Sequence, residues 1–139
     1  MKYMNKNDYQ RGWHGGLPET VCGFGSKVGA TTFQREWIPE QVSKYGITSI
    51  ADIGAGDLQW AVLTEFGCEY TAYDLIPRAP GVMEFDLLTD DLPKTDCLMV
   101  LWVLNHFSPD DQQKAIDKLK VSGSRYLMMT YDNRMEPCT

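Results

Sequence analysis

A chain of 139 residues with 43% hydrophobic content is long enough to form one domain around a buried core, and it is too apolar for disorder along its whole length. Its formal charge of -6 is uneven: residues 1–46 hold six Lys/Arg against four Asp/Glu, while residues 47–139 hold seven against fifteen. An acidic body argues against binding a phosphate backbone, which excludes DNA and RNA as the expected partners.

In chain order, residues 1–31 are rich in Gly and aromatic residues and lack periodicity, so they form an irregular lid or tail with no core of their own. Thr31 and Thr32 precede a helical pattern in which Phe33, Trp37, Ile38, Val42 and Tyr45 form a broad apolar face. Pro39 falls inside it and predicts a kink or two short helices, and Gly46 supplies a stop. Residues 48–53 read as a first buried strand. Asp57 is placed to cap a helix over residues 58–66 with Leu58, Val62 and Phe66 inward. Residues 69–73 and 82–85 read as the second and third strands, with a Pro/Gly loop between them. Residues 97–101 form an almost wholly apolar fourth strand, as expected when both faces of a sheet are covered. Ser108-Pro109-Asp110-Asp111 is a helix start in which Ser caps, Pro fits the first turn and the acids complement the dipole; Ala115, Ile116 and Leu119 face inward. Residues 125–130 read as a fifth strand. This alternation predicts a single α/β domain, a Rossmann-like doubly wound parallel sheet with its ligand beyond the strand C-termini.

The four cysteines, Cys22, Cys68, Cys97 and Cys138, show no metal-ligand spacing and read as reduced thiols, with no metal site. The first six residues lack the apolar core of a signal peptide, and the longest apolar run, residues 97–104, is too short to span a bilayer. The expectation is a cytoplasmic protein without a membrane partner.

The most informative stretch is Asp52-Ile53-Gly54-Ala55-Gly56-Asp57, followed by Tyr73-Asp74. Two strands each end in an acid, 22 residues apart, and the first acid leads into two glycines that permit close backbone approach to a ligand. A nicotinamide or flavin site wants a third glycine where this chain has Gln59, and a P-loop wants Lys-Ser/Thr, which is lacking. A turn that binds a nucleoside without a pyrophosphate remains.

On these residues, with Phe85-Asp86-Leu87, residues 96–102 and Asn105-His106-Phe107, the chain resembles the class I S-adenosylmethionine-dependent methyltransferases over about residues 20–132. Gly23-Phe24-Gly25-Ser26, Trp37-Ile38-Pro39 and Gly56-Asp57-Leu58-Gln59-Trp60 also resemble a narrower group of small methyltransferases. The resemblance implies S-adenosylmethionine as cofactor. Gly54 and Gly56 would let backbone reach its methionine and ribose parts, and Asp52 would orient the turn. Asp74 would accept from the ribose diol, with Leu75 on one adenine face and Asp86 and the Leu87 backbone along the adenine edge. Gly25 and Ser26 would close over the methionine end, Asp57 and Trp60 belong to the first turn, and Trp102 would lie near the reactive methyl. Asp86 as a turn residue and Trp60 and Trp102 as core aromatics are the bland alternatives.

The implied activity is methyl transfer to a small-molecule or glycan acceptor. His106, beside Asn105, is the first candidate base for a hydroxyl acceptor; the alternative has it packed under the loop before Ser108. Two other classes remain open: a non-catalytic S-adenosylmethionine-binding module or partner subunit, and a nicotinamide-dependent reductase. Family members usually continue past the fifth strand with a helix and an antiparallel hairpin, which the nine residues after Thr130 are too few to supply. The expectation is a shortened methyltransferase-type sheet whose fifth-strand edge is covered by the tail or by a second subunit, as in a homodimer.

Overall fold

The computed structural model describes residues 31–130. Their elements are α1 (Thr32–Tyr45), β1 (Ser49–Ile53), a 3-10 turn (Ala61–Leu63), β2 (Glu69–Asp74), β3 (Met83–Glu84), β4 (Cys97–Val100), a second 3-10 turn (Leu104–His106), α2 (Pro109–Lys120) and β5 (Tyr126–Met129). The strands form one sheet in the order β3-β2-β1-β4-β5. Every pairing is parallel, and Ile50 lies between Tyr70 on β2 and Cys97 on β4.

Strand parity sorts the core into two layers. Ile50, Cys97, Met99 and Met128 pack with Ile38 and Val42 of α1 and with Trp60, Ala61 and Phe66. Ala51, Ile53, Leu98 and Val100 pack with Ala115 and Leu119 of α2 and with Phe85 and Leu87. All four residues of β4 are buried, which accounts for an unbroken apolar run where a half-exposed strand would alternate. A helix thus lies on each face of a five-stranded parallel sheet, an α/β arrangement compatible with a Rossmann-like fold.

At the N-terminal end of the sheet, Arg125 clamps Asp96 through Nε at 2.5 Å and Nη2 at 2.7 Å, and the Thr48 backbone N–H donates to the same carboxylate at 2.9 Å. These bonds hold the Asp96 carboxyl down to about 2. The start of α2 follows the sequence signature: Ser108 Oγ accepts from the Asp111 N–H and Pro109 occupies the first turn.

Four expectations are corrected. Of the two outcomes expected at Pro39, two short helices do not form: α1 runs through it as a single element, since only one backbone hydrogen bond is forfeited there and Ile38 and Val42 anchor the turns on either side. Its apolar face is narrower than expected, because Phe33, Trp37 and Tyr45 are exposed, Phe33 and Trp37 stacking on each other. The helix expected over residues 58–66 is absent. Leu58 adopts φ 62°, a left-handed conformation that cannot open a right-handed helix, so only the 3-10 turn forms and Val62 is 72% exposed. Asp57 consequently caps no helix, and its Oδ1 accepts from the Gln59 N–H in a local turn. The third strand is also shorter than expected, only Met83–Glu84.

Candidate functional site

The order β3-β2-β1-β4-β5 puts the switch point between β1 and β4, and in open parallel sheets the region, or crevice, beyond the strand C-termini at that point is where ligands bind. The exits of β1, β2 and β4 meet there.

The β1 exit is pinned from two sides. Gly54 N–H and Ala55 N–H both donate to the Tyr73 carbonyl, at 2.8 and 2.9 Å. Asp74 Oδ2 accepts from the Gly56 N–H at 2.8 Å, and its Oδ1 accepts from the Ile76 N–H at 3.1 Å. The acid ending β2 thus ties the glycine turn of β1 to its own exit loop. Gly54 has φ 90°, and a Cβ there would lie 2.3 Å from Val103 Cγ2. The space its missing side chain leaves is filled from the β4 exit, so this glycine serves the packing of two loops.

Asp52 is 2% exposed. Its Oδ2 accepts from Tyr70 Oη at 2.5 Å, and Tyr70 is itself stacked on Phe66 with ring centroids 4.4 Å apart. Burial, opposed by the Tyr70 bond and reinforced by the nearby Asp74 charge, raises the Asp52 carboxyl to about 7. The Tyr70 hydroxyl is pushed upward, first by burial and then by the Asp52 charge. Neither carboxylate forms an ion pair: the ion pairs among the described residues are Lys114–Asp111 and Arg125–Asp96, both elsewhere. Two buried acids, held only by neutral donors, therefore underlie the glycine turn.

At the β4 exit, Trp102 has φ 57°, a conformation rare for a bulky residue, and is 46% exposed. Its backbone N–H donates to Thr130 Oγ1 at 2.8 Å, which ties it to the end of β5. In the following 3-10 turn, Asn105 Oδ1 is buried without a hydrogen-bond partner. His106 is partly buried, and desolvation lowers its imidazole pKa.

The remaining expected site residues are placed as follows. Leu75 is half-buried at the β2 exit. Asp86 Oδ1 accepts from the Leu88 N–H at 2.9 Å, the local turn bond expected of its bland alternative. Leu87 is buried in the α2-side core, and its carbonyl accepts from Lys118 Nζ at 3.1 Å. Trp60 packs inward, edge-on to Phe66. Gly25 and Ser26 lie outside the described residues. Among the described residues no His, Cys, Asp or Glu cluster is arranged to hold a metal ion, and no helix is long and apolar enough to cross a membrane.

Tyr70 is the site residue that sequence reasoning missed. The signal was strand parity: once Ile50 pairs with Tyr70, the side chains of Tyr70 and Asp52 fall on one face of neighbouring strands.

In comparison with known proteins, the chain matches no protein-family model, and no curated protein sequence matches it.

Proposed function

We propose that this crevice binds S-adenosylmethionine and that the protein is a methyltransferase of the class I type. The observation that carries the reading is the charge and hydrogen-bond state of the glycine turn. A dinucleotide site binds pyrophosphate on free N–H groups of such a turn and on the N-terminus of the helix that follows. Here the Gly56 N–H is committed to Asp74, no α-helix follows the turn, and Asp74, joined by Asp52 once that group loses its proton near 7, brings negative charge with no cationic partner among the described residues. Those features oppose an anionic ligand and suit a cationic one. S-adenosylmethionine carries a sulfonium and an ammonium beside its nucleoside, and the same features disfavour the nicotinamide alternative.

In this reading Asp74 keeps lone pairs for the ribose diol while bracing Gly56, since an ionised carboxylate offers about four acceptor sites. Asp52, oriented by Tyr70, adds negative potential under the turn as it loses its proton near 7. When bound, the cofactor supplies an electrophilic methyl group on sulfur. Alignment of an acceptor with that methyl contributes more than acid–base chemistry does. Burial shifts the His106 imidazole toward its neutral form, and His106 is the candidate to take a proton from a hydroxyl acceptor.

The test is calorimetric titration with S-adenosylmethionine, S-adenosylhomocysteine, NAD and NADP, with Asp74→Ala beside the parent protein. The expected result is binding of the first two, at least about tenfold weaker in the variant, a loss of roughly 1.4 kcal/mol. Binding of NAD or NADP without S-adenosylmethionine, or binding of none of the four, overturns the proposal.

A further inference from the structure

The turn that follows β3 is built around Asp86. The Phe85 N–H donates to the Asp74 carbonyl at 2.9 Å, so the turn starts beside the acid that ends β2. The Asp86 N–H donates to Asp90 Oδ2 at 2.7 Å, and the Asp90 N–H donates back to the Asp86 carbonyl at 2.8 Å. A charge from another element closes the turn: Lys118 of α2 donates its ammonium to the Leu87 carbonyl at 3.1 Å and to the Asp90 carbonyl. Bonds from an ammonium are of the stronger, charge-assisted kind. Phe85 and Leu87 are buried in one cluster with Ala115 and Leu119, which seats the same helix on the turn.

One peptide unit joins these bonds. The Leu87 carbonyl and the Leu88 N–H belong to the same rigid plane. Lys118 holds the carbonyl, and Asp86 Oδ1 accepts from the N–H at 2.9 Å. Rotation of that plane would break both bonds together, so the ammonium fixes the plane and the plane fixes the Asp86 carboxylate. Asp86 is half-exposed, and its Oδ2 accepts no bond among the described residues.

We infer that Lys118 is a positioning residue for the base of the cofactor: it aims the Asp86 carboxylate, and so sets a preference for an amino-bearing purine over an oxo-bearing one. An ionised carboxylate only accepts hydrogen bonds, so it receives an exocyclic amino group and repels a carbonyl oxygen in the same place. That discrimination needs a carboxylate held in one orientation, which the Lys118 bonds provide across two elements. This assignment rests on the methyl-transfer reading and adds to it the group that orders the turn beside the base.

The experiment compares the parent protein with Lys118→Met and Lys118→Arg, and its first readout needs no ligand. Methionine keeps most of the apolar stem of Lys118, so that variant is expected to fold, and its thermal midpoint checks this. In Lys118→Met the Leu88 amide is expected to exchange its hydrogen at least about tenfold faster, while the Asp111 amide at the start of α2 stays within about twofold and Lys118→Arg restores the Leu88 protection. The second readout is calorimetric titration with S-adenosylhomocysteine against S-inosylhomocysteine, and with adenosine against inosine. The parent is expected to prefer the adenine member by at least about tenfold, Lys118→Met to reduce that preference about fivefold or more, and Lys118→Arg to keep it within about twofold. Unchanged Leu88 exchange in Lys118→Met, or equal weakening of both members of a pair, overturns the positioning role, since a merely structural lysine would leave the ratio intact. Binding of adenosine without S-adenosylhomocysteine overturns the methyl-transfer reading instead, and the nucleoside pair still decides the role of Lys118. Binding of none of the four overturns both.

Discussion

Replacing Gly54 with alanine tests how the crevice is built, because two separable penalties meet at that residue. The first is conformational: φ is 90°, where an L side chain is disfavoured by about 1–2 kcal/mol. The second is steric: the new Cβ would sit 2.3 Å from Val103 Cγ2, well inside van der Waals contact. Val103 is β-branched and stiff at χ1, so relief requires the β4 exit to move, at an overpacking cost of about 1–3 kcal/mol. The expected destabilisation of Gly54→Ala is therefore about 2–5 kcal/mol, a large share of a typical domain's stability. Urea unfolding, with a slope of about 1–3 kcal/mol/M, reads this as a midpoint lowered by about 0.7 M or more. A double-mutant cycle separates the two parts. In a Val103→Ala background the contact is gone, so Gly54→Ala is expected to cost only the conformational part, with a coupling energy of about 1–3 kcal/mol. A cost below about 1 kcal/mol for Gly54→Ala, or the same cost in both backgrounds, would refute the claim that Val103 fills the space beside Gly54.

Two further variants probe the frame. Asp52→Asn is expected to stabilise the protein above neutrality. A folded-state carboxyl raised from 3.8 to about 7 means that the folded protein holds a proton the unfolded chain releases, so stability falls as pH rises through that window. The loss over the whole window is on the order of 4 kcal/mol at most; unfolding measured at pH 5 and 8 spans its upper part and should show about 3 kcal/mol at most in the parent and none in the variant. Ser108→Ala removes the side-chain cap of α2 and should cost about 1 kcal/mol in denaturant unfolding; a loss below about 0.3 kcal/mol would mean that Pro109 and the helix-dipole acids suffice to start the helix.

How much could be read beforehand divides along physical lines. Strands β1 and β4 were legible because parallel strands covered on both faces leave a short apolar run, and β2 and β5, which are only partly covered, because Gly67 and Gly123 mark where they begin. Helix α2 was legible because its start signals are local: a Ser cap, a Pro in the first turn and two acids. The missing helix after the turn was not, because its apolar spacing is sound and the obstacle is one residue's backbone. The connection leaves β1 so tightly that Leu58 is driven to positive φ, which no composition signal betrays. At Pro39 the option of two short helices failed, because burial of Ile38 and Val42 outweighs the hydrogen bond the proline forfeits. At the site, the two strand-end acids were visible from spacing alone. The use of Asp74 as a brace for Gly56, and the role of Tyr70, depend on strand register and emerge only in three dimensions.

That register also makes the crevice's charge depend on pH. Below its titration near 7 Asp52 is neutral; above it Asp52 adds a negative charge beside Asp74. The groups acting on Asp52 are Tyr70, which donates its hydroxyl, and Asp74, which repels. A cationic ligand placed against the pair must therefore favour the ionised form, and linkage requires the reciprocal: its affinity rises as Asp52 loses its proton. Between pH 6 and 7.5 the affinity for S-adenosylmethionine is expected to increase several-fold, while NAD, if it binds at all, weakens. Asp52→Asn removes the titrating group, so the same titrations on that variant should be flat with pH. A parent protein whose S-adenosylmethionine affinity does not change over this range would show that the ligand's charge does not reach Asp52. The acid ending β1 would then be a buried partner of Tyr70, and the charge argument for the cofactor would rest on Asp74 alone.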